Sequence, residues 1–337
     1  MSHRNIPIFI PHLGCPHQCI FCNQRSISGC QDFDEQNAES IIHTALSTIS
    51  PEDEVEIAFF GGSFTGIDRD LMIRLLKTAQ KYVDQGDAVS IRLSTRPDYI
   101  SAEILEILSR YSVKHIELGL QSMADDVLLA CRRGHTRERA INACRAVVDA
   151  GFSLTGQMMI GLPQSTPGSE IETAELICDL GATSVRIYPT VVFYQTPLAT
   201  LAEEGRYQPL SLEEAVIRSA SVLPVFVSRG VEILRIGLCA SEGLTSCEKV
   251  LGGPNHPALG ELVWNEYYYQ QMDKLLSQKG WHGQDVTLTV PRGMISKVVG
   301  QKRCNLEKLA KISQTKVKRI QESMNATEIL IDLWQTD

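Results

Sequence analysis

The sequence predicts an α/β fold, a partial barrel of parallel strands with a small α+β domain behind it. Two observations predict it. Along the first two thirds of the chain, roughly, short apolar runs alternate with stretches of helical periodicity, and repeated strand–helix alternation implies parallel pairing through right-handed crossovers. From about Asp285 onward the pattern changes: Lys and Arg become denser, and one strand-like run is followed by two short helical patterns and two more strand-like runs. With 337 residues, 43% of them hydrophobic, the chain can bury the core of one large or two ordinary domains.

The strand candidates, in order, are IPIFI (6–10), VEIAFF (55–60), VSIRL (89–93), KHIELG (114–119), SLTGQMMI (153–160), SVRIY (184–188) and VEILRIGL (231–238). Each is a short run dominated by apolar and β-branched residues, the signature of a buried strand. Helical patterns fill the intervals at 37–50, 69–85, 102–111, 136–150, 169–180 and 212–229, and another covers 257–279. Six or seven such units make a partial (β/α)6-type TIM-like barrel, in which the loops after the strands carry the chemistry. The expected boundaries are 1–245 for the barrel, 246–283 for a connecting loop and helix, and 284–337 for the tail. No internal repeat and no low-complexity segment interrupts this plan.

The formal net charge of −8 argues against bulk electrostatic attraction to nucleic acid and leaves room for a local basic patch. No apolar run reaches the roughly 18–20 residues of a membrane helix. The start, MSHRNIPIFIPHLG, lacks the h-region and cleavage site of a signal peptide. A cytoplasmic protein is expected. Ten cysteines scattered along this length do not form a secreted disulfide framework; in a reducing compartment, close cysteines serve metals or catalysis.

Three of them are close. HLGCPHQCIFCNQRSISG follows the first strand and carries Cys15, Cys19 and Cys22 in the spacing C-x3-C-x2-C. An iron–sulfur cube normally takes four thiolates, so three leave one iron open to bind something that reacts. The same triad also allows a zinc site completed by His12, His17 or a distant residue. With Phe21 before the last cysteine, the segment resembles the radical S-adenosylmethionine (SAM) superfamily. FGGSF (60–64), STRPD (94–98), ELGLQS (117–122), RRGH (132–135) and QMMIGLP (157–163) stand at successive strand ends or helix starts. With RIYPT, TPL and GRYQPLS they resemble, from about Asn5 to about Leu238, the radical SAM domain of the Elongator catalytic subunit. Oxygen-independent coproporphyrinogen oxidases share the triad, the glycines and the GLP segment.

The resemblance implies a [4Fe–4S] cluster on Cys15, Cys19 and Cys22, which are also the catalytic residues, with SAM chelating the open iron. It implies Phe21 near the adenine, Gly61 and Gly62 at the methionine amine, Gln121 and Gln157 at the ribose, and Arg133 on the carboxylate. Ser63 and Ser94 belong to the same cofactor-binding set. One electron from the reduced cluster would cleave SAM to methionine and a 5′-deoxyadenosyl radical that abstracts hydrogen from substrate. The donor usual in the superfamily is a small ferredoxin or flavodoxin. Two departures stand out. Nothing after Leu238 looks like the acetyltransferase domain of Elongator subunits, so acetyl-CoA chemistry does not carry over. Close relatives have histidine where this chain has Gln157.

The tail, VTLTVPRGMISKVVGQKRCNLEKLAKI with TKVKRIQES and TEILIDL, resembles a KH domain, whose GXXG loop clamps a nucleic-acid backbone. The loop would be Gly300-Gln301-Lys302-Arg303, with Arg303 replacing the second glycine, and Lys297, Lys302, Arg303 and Lys308 as phosphate contacts. The alternative is a small basic domain with an architectural or dimerising role. Elsewhere, Cys239, Cys247 and His256 could form a second metal or thiol site. Cys30, Cys131, Cys144, Cys178 and Cys304 are expected to be packing residues. GGPNHPALG (252–260) is a rigid turn that could cover the barrel mouth, and Tyr188 could face the cavity or the core. Tyr267, Tyr268 and Tyr269 cannot share one helix face. Three functions follow: a radical SAM enzyme modifying tRNA or rRNA, a radical SAM enzyme on a small molecule with an architectural tail, or a non-catalytic RNA- or zinc-binding protein.

Overall fold

The computed structural model describes residues 3–16, 19–28, 33–50, 52–238 and 249–335. The first strand, β1 (His3–Ile10), is followed by short α1 (Gln24–Ser28) and by α2 (Asn37–Leu46). Four strand–helix units come next. They are β2 (Glu54–Gly61) with α3 (Arg69–Asp84), β3 (Ser90–Thr95) with α4 (Ala102–Ser109), β4 (Val113–Gln121) with α5 (Asp125–Ala130) and α6 (Arg137–Asp149), and β5 (Ser153–Ile160) with α7 (Pro167–Asp179). Then follow β6 (Ser184–Pro189), a two-residue β7 (Val192–Phe193), α8 (Pro197–Glu203), α9 (Leu212–Ser228), β8 (Glu232–Ile236) and β9 (Val250–Gly252).

Seven strands form one parallel sheet in the order β1-β2-β3-β4-β5-β6-β8, curled into a half-barrel; β7 and β9 pair antiparallel beside it. The starts of the helices are written locally. Asp68, Ser101, Thr136, Thr166, Thr196 and Ser211 each accept a hydrogen bond from a first-turn N–H of the following helix, and Thr166 and Ser211 complete capping boxes.

Alternation along each strand separates two faces. Ile6, Ile8, Ile57, Phe59, Ile91, Leu93, Ile116, Leu118, Leu154, Val185 and Ile187 are at most 1% exposed and form the apolar face. On that face Gly156 lies against Ile177 of α7, where a Cβ would meet the isoleucine at 2.7 Å. The other face is polar. Glu56 accepts from Ser90 Oγ (2.5 Å) and Arg92 Nε (2.9 Å). Glu117 accepts from Arg92 Nη1 (3.1 Å), from Arg186 Nε (2.9 Å) and Nη2 (3.1 Å), and from Gln157 Nε2 (2.8 Å). This network ties β2 through β6 together, and each buried charge has a partner, as a low-dielectric interior requires.

The second fold element set begins with α10 (Leu259–Lys279), which ends at Gly280 in the left-handed region. It continues through β10 (Asp285–Pro291), α11 (Ile295–Val299), α12 (Cys304–Ile312), β11 (Lys316–Ser323) and β12 (Leu330–Leu333). Central β10 pairs parallel with β11 and antiparallel with β12. Tyr269, Met272 and Leu276 of α10 pack with Val286, Leu288, Val298, Leu309 and Ile331 into a single core. The chain divides into two compact units, residues 1–215 with 225–257, and residues 216–224 with 258–337. No helix among the described residues is long and apolar enough to cross a membrane.

Candidate functional site

The cysteine segment runs from the end of β1 to α1, and its described residues are fastened at several points. Its first turn lies on the end of β2: Ser63 N donates to Leu13 O (2.8 Å), and a Cβ on Gly62 would meet Leu13 O at 2.1 Å and Ile10 O at 2.6 Å. Only glycine permits that approach. Farther along, Ile20 N donates to Cys131 O (3.2 Å) and Leu198 N to Ile20 O (2.9 Å). His12 and Gln24 bind each other reciprocally, Gln24 N donating to His12 Nε2 (3.2 Å) and His12 N to Gln24 Oε1 (2.5 Å).

Cys15, Cys19 and Cys22 share the lining of a cavity of about 430 Å3 at the carboxyl ends of the strands. Gly61 and Gly62 of the β2 end, Ser94 of β3, Gln121 of β4, Arg133 and Gln157 of β5 line it too. Gln121 has a positive φ of 67°, and its Oε1 is buried with no hydrogen-bond partner. Gln157 Nε2 donates to both Ser94 Oγ (3.2 Å) and Glu117 Oε2 (2.8 Å), which fixes the amide's orientation. Arg133, 5% exposed, donates Nη1 to Cys19 Sγ (3.0 Å) and Nη2 to Gly119 O. Burial pushes the Cys22 thiol up to about 12, with Cys19 and Cys15 adding to it. Burial also raises Cys15, against the opposing pull of Arg96.

Comparison with known proteins settles the family. Residues 9–177 match the radical SAM superfamily, and residues 182–269 match the radical SAM C-terminal domain. The chain belongs to the radical SAM superfamily. It is 28% identical over 204 residues to the tRNA uridine(34) acetyltransferase of Methanocaldococcus jannaschii, which covers 52% of this chain and 37% of that protein. It is 30% identical over 195 residues to human Elongator complex protein 3, covering 51% and 36%. The chain thus spans little more than a third of these relatives' length. Among solved structures, the archaeal Elp3 of Methanocaldococcus infernus, lacking its N-terminus, superposes with a TM-score of 0.62 at 22% identity over 84% of this chain and 66% of that one, a likeness of fold.

The cofactors of a radical SAM protein are a [4Fe–4S] cluster and SAM. The residues present fit them. Three thiols share one cavity wall with a glycine pair, an orphaned amide oxygen and a guanidinium. Two residues of the expected cofactor set stand outside that wall. Phe21 packs with Ile20, Val127 and Leu198 in a side cluster. Ser63 is fully buried and bonds Thr95 Oγ1 (2.8 Å) and the Arg96 N–H (3.2 Å), so it braces the site without lining it. Sequence reasoning assigned no role to Glu117, Arg92 and Arg186 behind the cavity, nor to Arg96 beside Cys19 and its partner Asp98. For the first three the signal was a charge recurring inside otherwise apolar strands; Arg96 and Asp98 lie just past the end of β3.

In the C-terminal unit the expected loop joins α11 to α12. Gly300 has φ 77°, and a Cβ there would lie 2.5 Å from Cys304 Sγ; Lys302 (φ 52°) and Arg303 (φ 64°) are exposed in the left-handed region. Lys297 is exposed as well. Lys308 is different: its ammonium pairs with Glu266 and lies 4.0 Å over the Tyr269 ring, so it is held within the unit. Cys131 and Cys144 are buried and Cys178 half-buried, but Cys304 is exposed and does not serve as a packing residue. Tyr269 is core, whereas Tyr267 and Tyr268 gather around Trp264. His17, Cys30, Cys239 and Cys247 lie outside the described residues.

Proposed function

We propose that this radical SAM protein is an RNA-modifying enzyme, with Cys15, Cys19 and Cys22 holding the cluster and tRNA or rRNA as its substrate. The observation that carries the catalytic half is the common cavity, in which three thiols, a glycine pair, Arg133 and two oriented amides converge. Bound there, cluster and SAM supply one-electron reductive cleavage of a carbon–sulfur bond. The chain's own residues hold and orient. Gly61 and Gly62 admit the methionine end against bare backbone, Gln121 and Gln157 accept from the ribose hydroxyls, and the guanidinium of Arg133 supplies positive charge beside Cys19 and the carboxylate.

Two things support RNA as the substrate. The relatives include one named as a tRNA uridine acetyltransferase, and the C-terminal unit presents Lys297, Lys302 and Arg303 around an exposed loop. Acetyl transfer is not part of the reading, because the matched region spans only 37% of that relative. Anaerobic reconstitution tests the first half. About four irons per chain and SAM-derived 5′-deoxyadenosine uphold it, while colourless zinc-loaded protein defeats it. Mass spectrometry of tRNA and rRNA nucleosides from cells lacking the gene tests the second. An unchanged nucleoside profile directs the same chemistry to a small molecule.

A further inference from the structure

We propose that Arg96 is a positioning residue for the Cys19 corner of the cluster, and that its locked guanidinium raises the cluster's reduction potential. The inference rests on the reading of Cys15, Cys19 and Cys22 as cluster ligands.

Arg96 is only 4% exposed. One edge of its guanidinium is fixed: Nε donates to Asp98 Oδ1 (2.9 Å), Nη2 to Asp98 Oδ2 (2.9 Å), and Nη2 also to the backbone carbonyl of Arg133. The remaining nitrogen, Nη1, faces Cys19 Sγ at 3.8 Å. From the other side Arg133 Nη1 reaches the same sulfur at 3.0 Å. Arg96 therefore does two things at once. It turns a donor toward Cys19, and through the Arg133 carbonyl it fixes the backbone that aims the second donor.

The segment around it is built to prevent drift. Arg96 N donates to Ser63 Oγ (3.2 Å), Thr95 Oγ1 bonds both Ser63 Oγ (2.8 Å) and Thr65 Oγ1 (2.7 Å), and Pro97 starts a tight helical turn over 97–99. In this bidentate pair the Arg96 side chain is 5% exposed and the Asp98 side chain 21%, and desolvating the guanidinium carries a cost that a surface pair avoids.

The physical consequence has a definite sign. A cluster on thiolates gains one negative charge on reduction. Cationic N–H donors at a ligand sulfur favour that reduced state and raise the potential. Asp98 opposes part of this effect by its own charge.

The test is a potentiometric titration of the reconstituted full-length protein, followed by the electron paramagnetic resonance of the reduced cluster. Arg96→Gln is expected to lower the midpoint potential, and Arg96→Lys to restore most of it. Asp98→Asn, which keeps an acceptor for the fork while removing the charge, is expected to raise it. Wild-type midpoints in Arg96→Gln and Asp98→Asn at full iron content would overturn the proposal. If Arg96→Gln retains no cluster, the Asp98→Asn titration decides alone, and a midpoint at or below wild type overturns it. Wild-type protein that takes up no cluster refutes the ligand assignment instead, so the two failures are distinct.

Discussion

Gly62 sets how closely the cysteine segment can lie on the end of β2. The atoms a Cβ would strike are the backbone carbonyls of Leu13 and Ile10, at 2.1 and 2.6 Å, and backbone cannot swing aside as a side chain can. Gly62→Ala is therefore expected to destabilise by about 3 kcal/mol and to lose iron on desalting, measured by denaturant unfolding and iron assay. Glu56 makes a second residue-level case. Burial alone would raise its carboxyl, but Ser90, Arg92 and His115 more than offset this, so it sits below its ordinary value of 4.5. A depressed acid contributes stability above its unfolded-state value and loses it as pH falls through the folded one. Glu56→Gln should cost about 1–3 kcal/mol at neutral pH, since it removes one of the two carboxylates that hold Arg92 and leaves Glu117 as the other. It should also flatten the acid limb of the stability profile below about pH 4.5. The cavity-lining residues were legible because cysteines, glycine pairs and strand-end amides carry a pattern along the chain. Ser63 shows the limit of that pattern: a hydroxyl next to a glycine pair looks the same in sequence whether it points into a cavity or into Thr95.

Among elements, the seven strands were legible within one to three residues at most ends, and 153–160 coincides at both, because each is a short apolar run bounded by polar turns. Two ends came out shorter for a physical reason. The first long helix stops at Leu46, where Ser47 and Thr48 turn their hydroxyls back onto backbone carbonyls. The last barrel strand stops at Ile236, before Gly237 with φ 82°. Helices α1, α5 and α8, of five to seven residues, and the two-residue strand β7 are too short to show a period. The loop after β5 yields an element-level prediction. Thr166 and Ser169 complete a reciprocal cap on α7, and Glu170 behind it holds Gly161 N at 2.7 Å. Thr166→Ala is expected to cost about 1 kcal/mol, read as a lowering of Tm by about 2–4 °C, with iron content unchanged because the cap is outside the cavity.

At the scale of the whole molecule, the parallel half-barrel and the C-terminal α+β unit were legible from the change in pattern near Asp285. The commitment of Lys308 to Glu266 was not, since partners 42 residues apart leave no local trace. The RNA reading gives a whole-chain prediction. Alanine at both Lys302 and Arg303 should weaken binding of the intact protein to tRNA and make the dependence of log affinity on log salt shallower by about 2 units, measured by filter binding across salt concentrations. SAM cleavage should be unaltered in that variant. Among the described residues the sheet stops at β1 on one side and β8 on the other, and no hydrogen-bonded ladder joins those two edges. With its polar face filled by Glu56, Arg92, Glu117 and Arg186, the half-barrel is no channel. Its cavity opens at the carboxyl ends of the strands, where a long chain can reach it without passing between them.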